Sequence, residues 1–377
     1  MHLNLSPSQP SSQVHQSTCE NQASPFLLNF NRQTPPHHQY KDPMRIIILM
    51  TLLLAGLLLW TADLSFEHLK AFYETPQSEL VKTPESLIFT EDQPSTLDNA
   101  PTLVLIHGTA SSLQTWDEWT RLLKPHLRVV RLDLPGLGLS SAPNSGDYAD
   151  RAEVQRIEQW LALKKIDHFI LAGHDLGARL AWMYTNAHPE QVSHLVLLSP
   201  QALTPQTLET LNAQSSVQSG ELFDLPFYAP LIRFTLPKWA VKAWLEGAYA
   251  DPSLITAQIL GRYHDMLLAP GVRKHVLERL AQTKTFDPSQ QSLALKSLQP
   301  PTLLLWGKED QVTPVNQLNY FEQMIPKVQS VVFKNTGHLV QEENATESVQ
   351  ALLNFLKNAQ SSELESKSGN NTSAKPN

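Results

Sequence analysis

The segment from Phe169 to Arg179 combines a short apolar run with the pattern Gly-His-Asp-Leu-Gly and leads directly into helix-forming residues. Gly173 and Gly177 flank Asp175 at the spacing of a nucleophile elbow, a strained strand-to-helix turn that holds one side chain above the end of a sheet. Glycine suits both flanking positions because a larger side chain would meet the strand or the helix. The same residue types also form ordinary turns, so the pattern alone leaves a plain turn as an alternative. Serine is the usual central residue of this motif, and Asp175 would supply a carboxylate instead.

Further polar residues follow other apolar runs of the chain. Asp310 lies in a loop after one such run, and His338 lies in a glycine-bearing loop after another. Upstream, the residues His107, Gly108 and Thr109 end a third run, at the place where an oxyanion hole would form. The order of nucleophile, acid and histidine along the chain is that of a hydrolytic triad. Coincidence of all these groups at strand ends is improbable, and the spacing therefore favours an enzyme.

The chain resembles the α/β-hydrolase superfamily across roughly residues 76–358. The resemblance implies an α/β fold with a mostly parallel central sheet flanked by helices and with a helical cap insertion. The general pattern is similar to that of membrane-anchored bacterial hydrolases. The matching motifs are His107–Thr109, Asp133–Ser140, the elbow, Trp306–Asp310 and Gly337-His338. The sequences at Thr115–Trp119 and Leu180–Tyr184 are also similar to those of these hydrolases.

The elbow departs from that general pattern, which has Gly-Asn-Ser-x-Gly-Gly. Gly-His-Asp-x-Gly resembles the elbow of epoxide hydrolases, haloalkane dehalogenases and fluoroacetate dehalogenases. Leu176 stands where the haloalkane dehalogenases place a halide-binding Trp, and Arg179 matches only the second of the two arginines of fluoroacetate dehalogenases. Ala110 stands where epoxide hydrolases usually have the proline of His-Gly-x-Pro. Epoxide hydrolase is the least contradicted of the three resemblances.

An aspartate at the elbow changes the chemistry that is available. Because the reference pKa of an aspartate side chain is about 3.9, Asp175 is expected to be ionised at neutral pH. It could then displace a leaving group from saturated carbon without the help of a base. The product is an ester on Asp175, which His338, oriented by Asp310, would hydrolyse by activating water. Backbone N–H groups of Thr109 and Leu176 would form the oxyanion hole. Residues that could contact the substrate, among them an acid for a departing epoxide oxygen, are Tyr228, Tyr249, Tyr263 and Arg179.

Three function classes remain open at this point. The first is a hydrolase with an Asp nucleophile, most similar to epoxide hydrolases and acting on a small apolar substrate. The second is a hydrolase of other specificity, for an ester, a haloacid or a haloalkane. The third is a catalytically silent binding module, since a fold does not guarantee an activity. No cofactor and no metal site is expected.

Composition narrows the partners of the chain. Its 377 residues carry 29 basic and 36 acidic side chains, a net charge of −7. Because the basic residues do not cluster, nucleic acid is not an expected partner. The single Cys19 excludes an internal disulfide and a cysteine-based metal site.

The amino-terminal part predicts attachment to a membrane. Residues 1–43 are polar and predicted to be disordered, and Met44-Arg45 before an apolar run is typical of a translation start. Ile46–Ala62 carries no charge and lies at the short end of a membrane span. A cleaved signal peptide is the alternative, although Trp60 fits the cleavage rule poorly. Basic residues precede the run and acidic residues follow it, so a single-pass anchor at 44–62 with a periplasmic or extracellular catalytic domain is predicted.

The remaining chain alternates between predicted strands and helices. The hydrolase core is expected at 63–200 and 286–358, the cap at 201–285 and a disordered tail at 359–377. The cap is rich in aromatic residues, and an apolar substrate is therefore expected. Strands are predicted at Leu103–His107, Val129–Leu132, Phe169–Ala172, Leu195–Leu198, Thr302–Trp306 and Val331–Phe333, and helices after Asp150 and at Gly177–Ala187, Pro314–Met324 and Ala345–Leu356.

Overall fold

The computed structural model describes residues 44–48, 50, 51, 54, 60–201, 233–283 and 288–370. Two compact units divide the chain, residues 1–53 and residues 54–377. In the first unit, residues 44–48, 50 and 51 are helical. Within the described ranges, no helix has both the length and the apolar character needed to cross a bilayer. The predicted disordered segment 1–43 and much of the predicted anchor at 44–62 lie outside the described residues.

The second unit contains an eight-stranded sheet with the order β1-β2-β4-β3-β5-β6-β7-β8. The β1–β2 and β2–β4 pairs are antiparallel, and all later pairs are parallel. Its strands are β1 (Ser78–Lys82), β2 (Leu87–Gln93), β3 (Thr102–Ile106), β4 (Arg128–Leu132), β5 (Phe169–His174), β6 (Val192–Leu198), β7 (Thr302–Gly307) and β8 (Val328–Phe333).

Eleven helices of the described residues accompany the sheet. They are α1 (Phe66–Tyr73), α2 (Asp117–Leu123), α3 (Asp150–Lys164), α4 (Leu176–Ala187), α5 (Lys238–Ala248), α6 (Ala257–Leu267), α7 (Val272–Thr283), α8 (Pro288–Lys296), α9 (Leu318–Met324), α10 (Val340–Glu343) and α11 (Ala345–Asn370). Short 3₁₀ turns occur at Leu113–Trp116, Pro252–Leu254 and Val315–Gln317.

Alternate residues of the central strands pack into two different hydrophobic cores. In β3, Val104 and Ile106 belong to one core cluster, and Leu103 and Leu105 belong to the other. Because successive side chains of a strand point to opposite faces, both faces of the sheet are covered. This burial on both sides explains why the central strands have continuous apolar sequences.

Several elements differ from those expected from the sequence. The strands β1 and β2 were not predicted, because their sequences are largely polar and charged. In α3, which matches the helix predicted after Asp150, Ile157, Trp160 and Leu161 are buried and Leu163 is exposed. The segment Pro314–Met324 begins with a 3₁₀ turn, and only its second half is α-helical. Helix α11 continues to Asn370, a stretch that holds good helix formers and no proline, whereas the sequence predicted a disordered tail at 359–377.

The predicted cap at 201–285 is only partly within the described residues. Residues 202–232 lie outside them, and with them Phe223, Phe227 and Tyr228. The described part consists of α5, α6 and α7, and α5 packs against α6. Helix α8 contacts α4 and α9, so it belongs with the layers that cover the sheet.

The turn from β5 into α4 depends on two glycines. A Cβ atom on Gly177 would lie 2.2 Å from the carbonyl oxygen of Ile106 and 2.6 Å from that of His107. A Cβ atom on Gly173 would lie 2.2 Å from the carbonyl oxygen of Gly177. Since these neighbours are backbone atoms, they cannot move aside as a flexible side chain would. The glycines therefore allow α4 to start against the end of β3.

We expect Gly177→Ala to lower the free energy of unfolding by roughly 2 kcal/mol or more, because the added methyl group displaces backbone of β3. Gly261→Ala is the matched control: Gly261 lies inside α6 with no atom near its Cβ position, so alanine should stabilise the protein by about 0.5–1 kcal/mol. Denaturant unfolding of the two variants beside the wild type measures both changes. Equal stabilities for the two variants would contradict this reading of the turn.

Candidate active site

The predicted groups converge at the carboxyl ends of neighbouring strands. Asp175 follows β5, the segment His107–Thr109 follows β3, Asp310 follows β7 and His338 follows β8. Parallel strands all present their carboxyl ends at the same edge of a sheet, which is where such sheets bind ligands. The strand order β3-β5-β6-β7-β8 therefore places all four segments along one edge.

Asp175 occupies a strained backbone position between β5 and α4. Its φ of 51° and ψ of −115° are unusual for a residue with a side chain. The turn is held by the Asp175 N–H, which donates to the Leu198 carbonyl at 3.1 Å, and by the Arg179 N–H, which donates to the Asp175 carbonyl at 3.1 Å. Such strain persists only where the surroundings fix it, and it is frequent at functional sites.

The carboxylate of Asp175 lies in the predicted oxyanion hole. Its Oδ2 accepts the Thr109 backbone N–H at 2.8 Å, and the Leu176 N–H stabilises the same carboxylate. Gly108 permits this approach, since a Cβ atom there would lie 2.9 Å from the Cβ and 3.0 Å from the Oδ2 of Asp175. The predicted residues Thr109 and Leu176 are thus brought together with the carboxylate of the candidate nucleophile.

The surroundings of Asp175 favour its ionised form. Burial by itself raises the pKa of this carboxyl group. The positive charge of His338 and the backbone N–H groups of Thr109 and Leu176 outweigh the burial, and the pKa lies below its ordinary value. The group is therefore a carboxylate at neutral pH.

Asp310 and His338 form a hydrogen-bonded pair. The His338 Nδ1 lies 3.0 Å from Asp310 Oδ2, and both side chains are buried. The second oxygen of Asp310 accepts the N–H groups of Val312 at 3.0 Å and Thr313 at 2.8 Å. Because a carboxylate can only accept, Nδ1 of His338 carries the proton, and Nε2 is left to act as a base.

The charges around His338 favour its protonated form. Burial by itself lowers the pKa of the imidazole, but the charge and hydrogen bond of Asp310, together with the charge of Asp175, outweigh it. The pKa of His338 is raised above its ordinary value as a result. The dependence on Asp175 shows that the two side chains are close enough to interact electrostatically.

Two buried histidines beside the site are neutral and hold its backbone. His107 donates from Nδ1 to the Gly108 carbonyl at 2.8 Å and accepts the Leu134 N–H on Nε2 at 3.0 Å, and burial lowers its pKa to about 3. His174 donates from Nε2 to the His338 carbonyl at 3.0 Å, and burial lowers its pKa to about 4. Sequence reasoning missed the role of His174, and its position directly before Asp175 was the available signal.

The residues predicted to contact substrate have other partners. Arg179 forms a two-pronged ion pair with Asp150, with Nε–Oδ2 and Nη2–Oδ1 distances of 2.9 and 3.1 Å. The hydroxyl groups of Tyr249 and Tyr263 donate to the two oxygens of Glu342, at 2.7 and 2.8 Å. Tyr228 lies outside the described residues. A role of these four side chains in substrate binding stays a prediction.

Glu342 is the centre of a buried polar cluster that sequence reasoning missed. It lies on α10, four residues after His338, and it also accepts from Thr115 Oγ1 at 2.5 Å and from Arg262 Nη2 at 2.6 Å. Burial raises the pKa of this carboxyl group, but Arg262 and the hydroxyl donors outweigh the burial and hold the pKa low. Burial also raises the pKa values of both tyrosines, which makes them weaker acids.

Comparison with known proteins places the chain among proteins of the same architecture. A family model of the alpha/beta hydrolase fold matches residues 101–345. Monoacylglycerol lipase ABHD6 of Homo sapiens is 23% identical over 273 residues, which cover 68% of this chain and 75% of the lipase. The homologous lipase abhd6-A of Xenopus laevis is 23% identical over 282 residues, 70% of this chain and 78% of that protein.

A solved structure of a membrane phospholipase A, described as a bacterial virulence factor, has a TM-score of 0.64 and 24% identity. The match covers 85% of this chain and 99% of the phospholipase. At this identity the likeness establishes the fold alone. The expected fold class, a mostly parallel sheet flanked by helices, is confirmed by the sheet and by these comparisons.

We expect Asp310→Asn to lower the pKa of His338, because the variant removes the charge that counteracts burial of the imidazole. The Asp310 carboxylate stabilises the protonated imidazole, so without its charge His338 loses the proton at lower pH. Titration of the imidazole signals by NMR measures this pKa. Asp98→Asn, in an exposed loop, is the control and should leave the titration unchanged. An unaltered His338 titration in Asp310→Asn would contradict the pairing.

Proposed function

Because the chain belongs to the alpha/beta hydrolase fold family, we propose that it is a hydrolase in which Asp175 is the nucleophile and the intermediate is an ester on that side chain. The observation that carries the proposal is the position of Asp175 Oδ2, which accepts the Thr109 N–H at 2.8 Å. One carboxylate oxygen fills the oxyanion hole, and the other, Oδ1, is the atom that attacks.

In the first step Oδ1 attacks a saturated carbon of the substrate. A carbon–oxygen bond forms, the bond to the leaving group breaks, and the leaving group takes the electron pair. The reaction needs no base, because the low pKa of Asp175 keeps the carboxylate ionised. Ester formation removes the negative charge of Asp175.

In the second step water hydrolyses the ester. Nε2 of His338 takes a proton from water, and the water oxygen attacks Cγ of Asp175. The negative charge develops on Oδ2, which already accepts the Thr109 N–H, and donors of this kind each contribute about 3–4 kcal/mol. Collapse of the intermediate breaks the Cγ–Oδ1 bond, and the proton on Nε2 of His338 passes to Oδ1, so the alcohol leaves with the former Oδ1 and His338 is neutral again. The step requires neutral His338 and should accelerate as the pH rises through the raised pKa of that residue.

This geometry disfavours acyl transfer of the serine type. The carbonyl oxygen of an acyl substrate would compete with Asp175 Oδ2 for the Thr109 N–H. Attack of a carboxylate on an acyl group would also give an anhydride, which is no more stable than the ester it comes from. An alkyl electrophile is therefore the better substrate class, with an epoxide on an apolar chain as the first candidate.

An epoxide substrate additionally needs a proton for the departing oxygen. Tyr249 and Tyr263 direct their hydroxyl protons to Glu342, and burial raises the pKa of each. Either hydroxyl group would have to leave Glu342 before it could protonate the substrate. Tyr228 stays a candidate for the same role.

A second candidate function is ester hydrolysis of a lipid-like substrate. It is favoured by the names of the relatives, which are acylglycerol lipases and a phospholipase. An apolar substrate is compatible with both proposed reactions. Exchange of an Asp175 carboxylate oxygen with water distinguishes them, because only the covalent ester on Asp175 leads to it.

We expect a single turnover in ¹⁸O-water, with enzyme in excess over a long-chain 1,2-epoxide, to leave the heavy oxygen on Asp175 and not in the diol. The reason is that the alcohol leaves with the former carboxylate oxygen, and water replaces it. Mass spectrometry of the peptide that contains Asp175 measures the incorporation. His338→Gln should accumulate the ester on the same peptide, because alkylation does not need the imidazole.

The matched control is Asp175→Asn, which should form no adduct and turn over no substrate. Heavy oxygen found only in the product of the first turnover would rule out the covalent ester. Cleavage of esters at wild-type rate by Asp175→Asn would support the second candidate instead.

For localisation we propose a single-pass anchor at 44–62 with the catalytic domain outside the cytoplasm. The uncharged run Ile46–Ala62 and the basic residues on its amino side support this proposal. We expect the full chain to stay with the membranes after washing with high salt and carbonate, measured by immunoblotting of the fractions. Recovery of a soluble product that begins near residue 63 would show cleavage and contradict the anchor.

A further inference from the structure

The last residues of the uncharged run and the residues directly after it are fastened to the cap. The Thr61 N–H donates to the Phe234 carbonyl at 2.9 Å, and the Leu64 N–H donates to the Leu268 carbonyl at 2.8 Å. Arg273 forms an ion pair with Asp63 at 2.5 Å and donates to the Thr61 carbonyl at 2.8 Å. These bonds fix the point at which the chain leaves the run, and this point lies on the cap.

Large aromatic side chains are exposed at this point. The side chains of Trp60, Phe234 and Trp239 are 60%, 49% and 73% exposed. The rings of Trp60 and Phe234 lie 5.8 Å apart. Trp239 follows Phe234 by five residues, so it lies within roughly 17 Å of it along the chain. We call these three residues the cap aromatic face.

Basic residues lie beside the cap aromatic face. Arg233 precedes Phe234 and Lys238 precedes Trp239, and both are exposed; Lys242, one turn later in α5, is exposed too and forms an ion pair with Glu246. Tryptophan beside lysine and arginine is the composition of protein surfaces that lie at the headgroup level of a bilayer. Exposed basic side chains are attracted to the anionic lipids of a bilayer surface.

We propose that the cap aromatic face docks on the surface of a lipid bilayer that contains anionic lipids. The chain itself points to this occupant, because Trp60 belongs to the carboxyl end of the uncharged run Ile46–Ala62. A second copy of the chain is the poorer fit: a two-fold contact through this face would bring the basic side chains of both copies together. The proposal does not depend on which reaction Asp175 performs.

Docking at this face would place the bilayer near the candidate site. Trp239 lies at the amino end of α5, and Ala248 at its carboxyl end accepts the His338 N–H at 2.7 Å. The helix of 11 residues is about 16 Å long. An apolar substrate dissolved in the bilayer would therefore travel only about the length of α5 to reach His338.

The test uses the full chain in vesicles, with a fluorescent NBD label as a local probe. Cys19→Ser removes the native thiol, and Trp239→Cys then provides a single labelling site on the cap aromatic face. Leu163→Cys is the matched control, since Leu163 is 53% exposed on α3. Both labelled proteins keep the uncharged run, so any difference between them reports the cap and not the anchor. Fluorescence is read on protein that floats with the vesicles.

We expect the label at position 239 to be quenched by nitroxide lipids and shielded from aqueous iodide several-fold better than the label at position 163. The shielding should be greater in vesicles with anionic lipid than in neutral vesicles, and Lys238→Glu should reduce it. Iodide quenching that is equal at the two positions, or failure of the labelled chain to float, overturns the proposal. Shielding that persists in detergent and grows with protein concentration would indicate a second copy and also overturns it.

Discussion

The hydrogen bond from the Thr109 N–H to Asp175 Oδ2 is the contact on which the candidate site depends. It needs the strained backbone of Asp175, the absence of a side chain at Gly108, and the end of β3 beside the end of β5. Neighbouring residues then stabilise this arrangement, as His107 ties the β3 end to Leu134 and His174 ties the elbow to the backbone of His338. The Asp175 carboxylate is stabilised by the charge of His338 and by the N–H groups of Thr109 and Leu176, which is why its pKa is low although it is buried.

The sequence predicted the central strands and the site at their ends because both depend on local patterns. Strands β3, β5 and β7 are buried on both faces and therefore have continuous apolar runs, and the elbow requires glycine on both sides of Asp175. The strands β1 and β2 lack such a pattern. Glu91 of β2 is buried only because Arg131 of β4 neutralises it at 2.9 Å, and a pairing between distant residues leaves no trace in local periodicity.

The same limit applies to the residues that were predicted to contact the substrate. Tyr249 and Tyr263 were predicted from their residue type and from their place in the cap, and these signals carry no information about Glu342. This carboxylate gathers donors from the core, at Thr115, and from the cap, at Arg262 and both tyrosines. Removal of any one partner would leave a buried charge with fewer donors, so the cluster holds the described part of the cap to the core. A sequence shows each of these residues singly, and only the fold brings them together.

Aspartate in place of serine also changes the histidine of the site. The Asp175 carboxylate helps to raise the pKa of His338, so its negative charge favours the protonated imidazole. Protonated His338 in turn stabilises the Asp175 carboxylate. In the proposed scheme, ester formation removes the charge of Asp175 and with it one of the causes of the raised pKa. His338 then loses its proton more readily at the stage at which a neutral base is needed. A serine nucleophile carries no such charge, so it would not couple the two steps in this way.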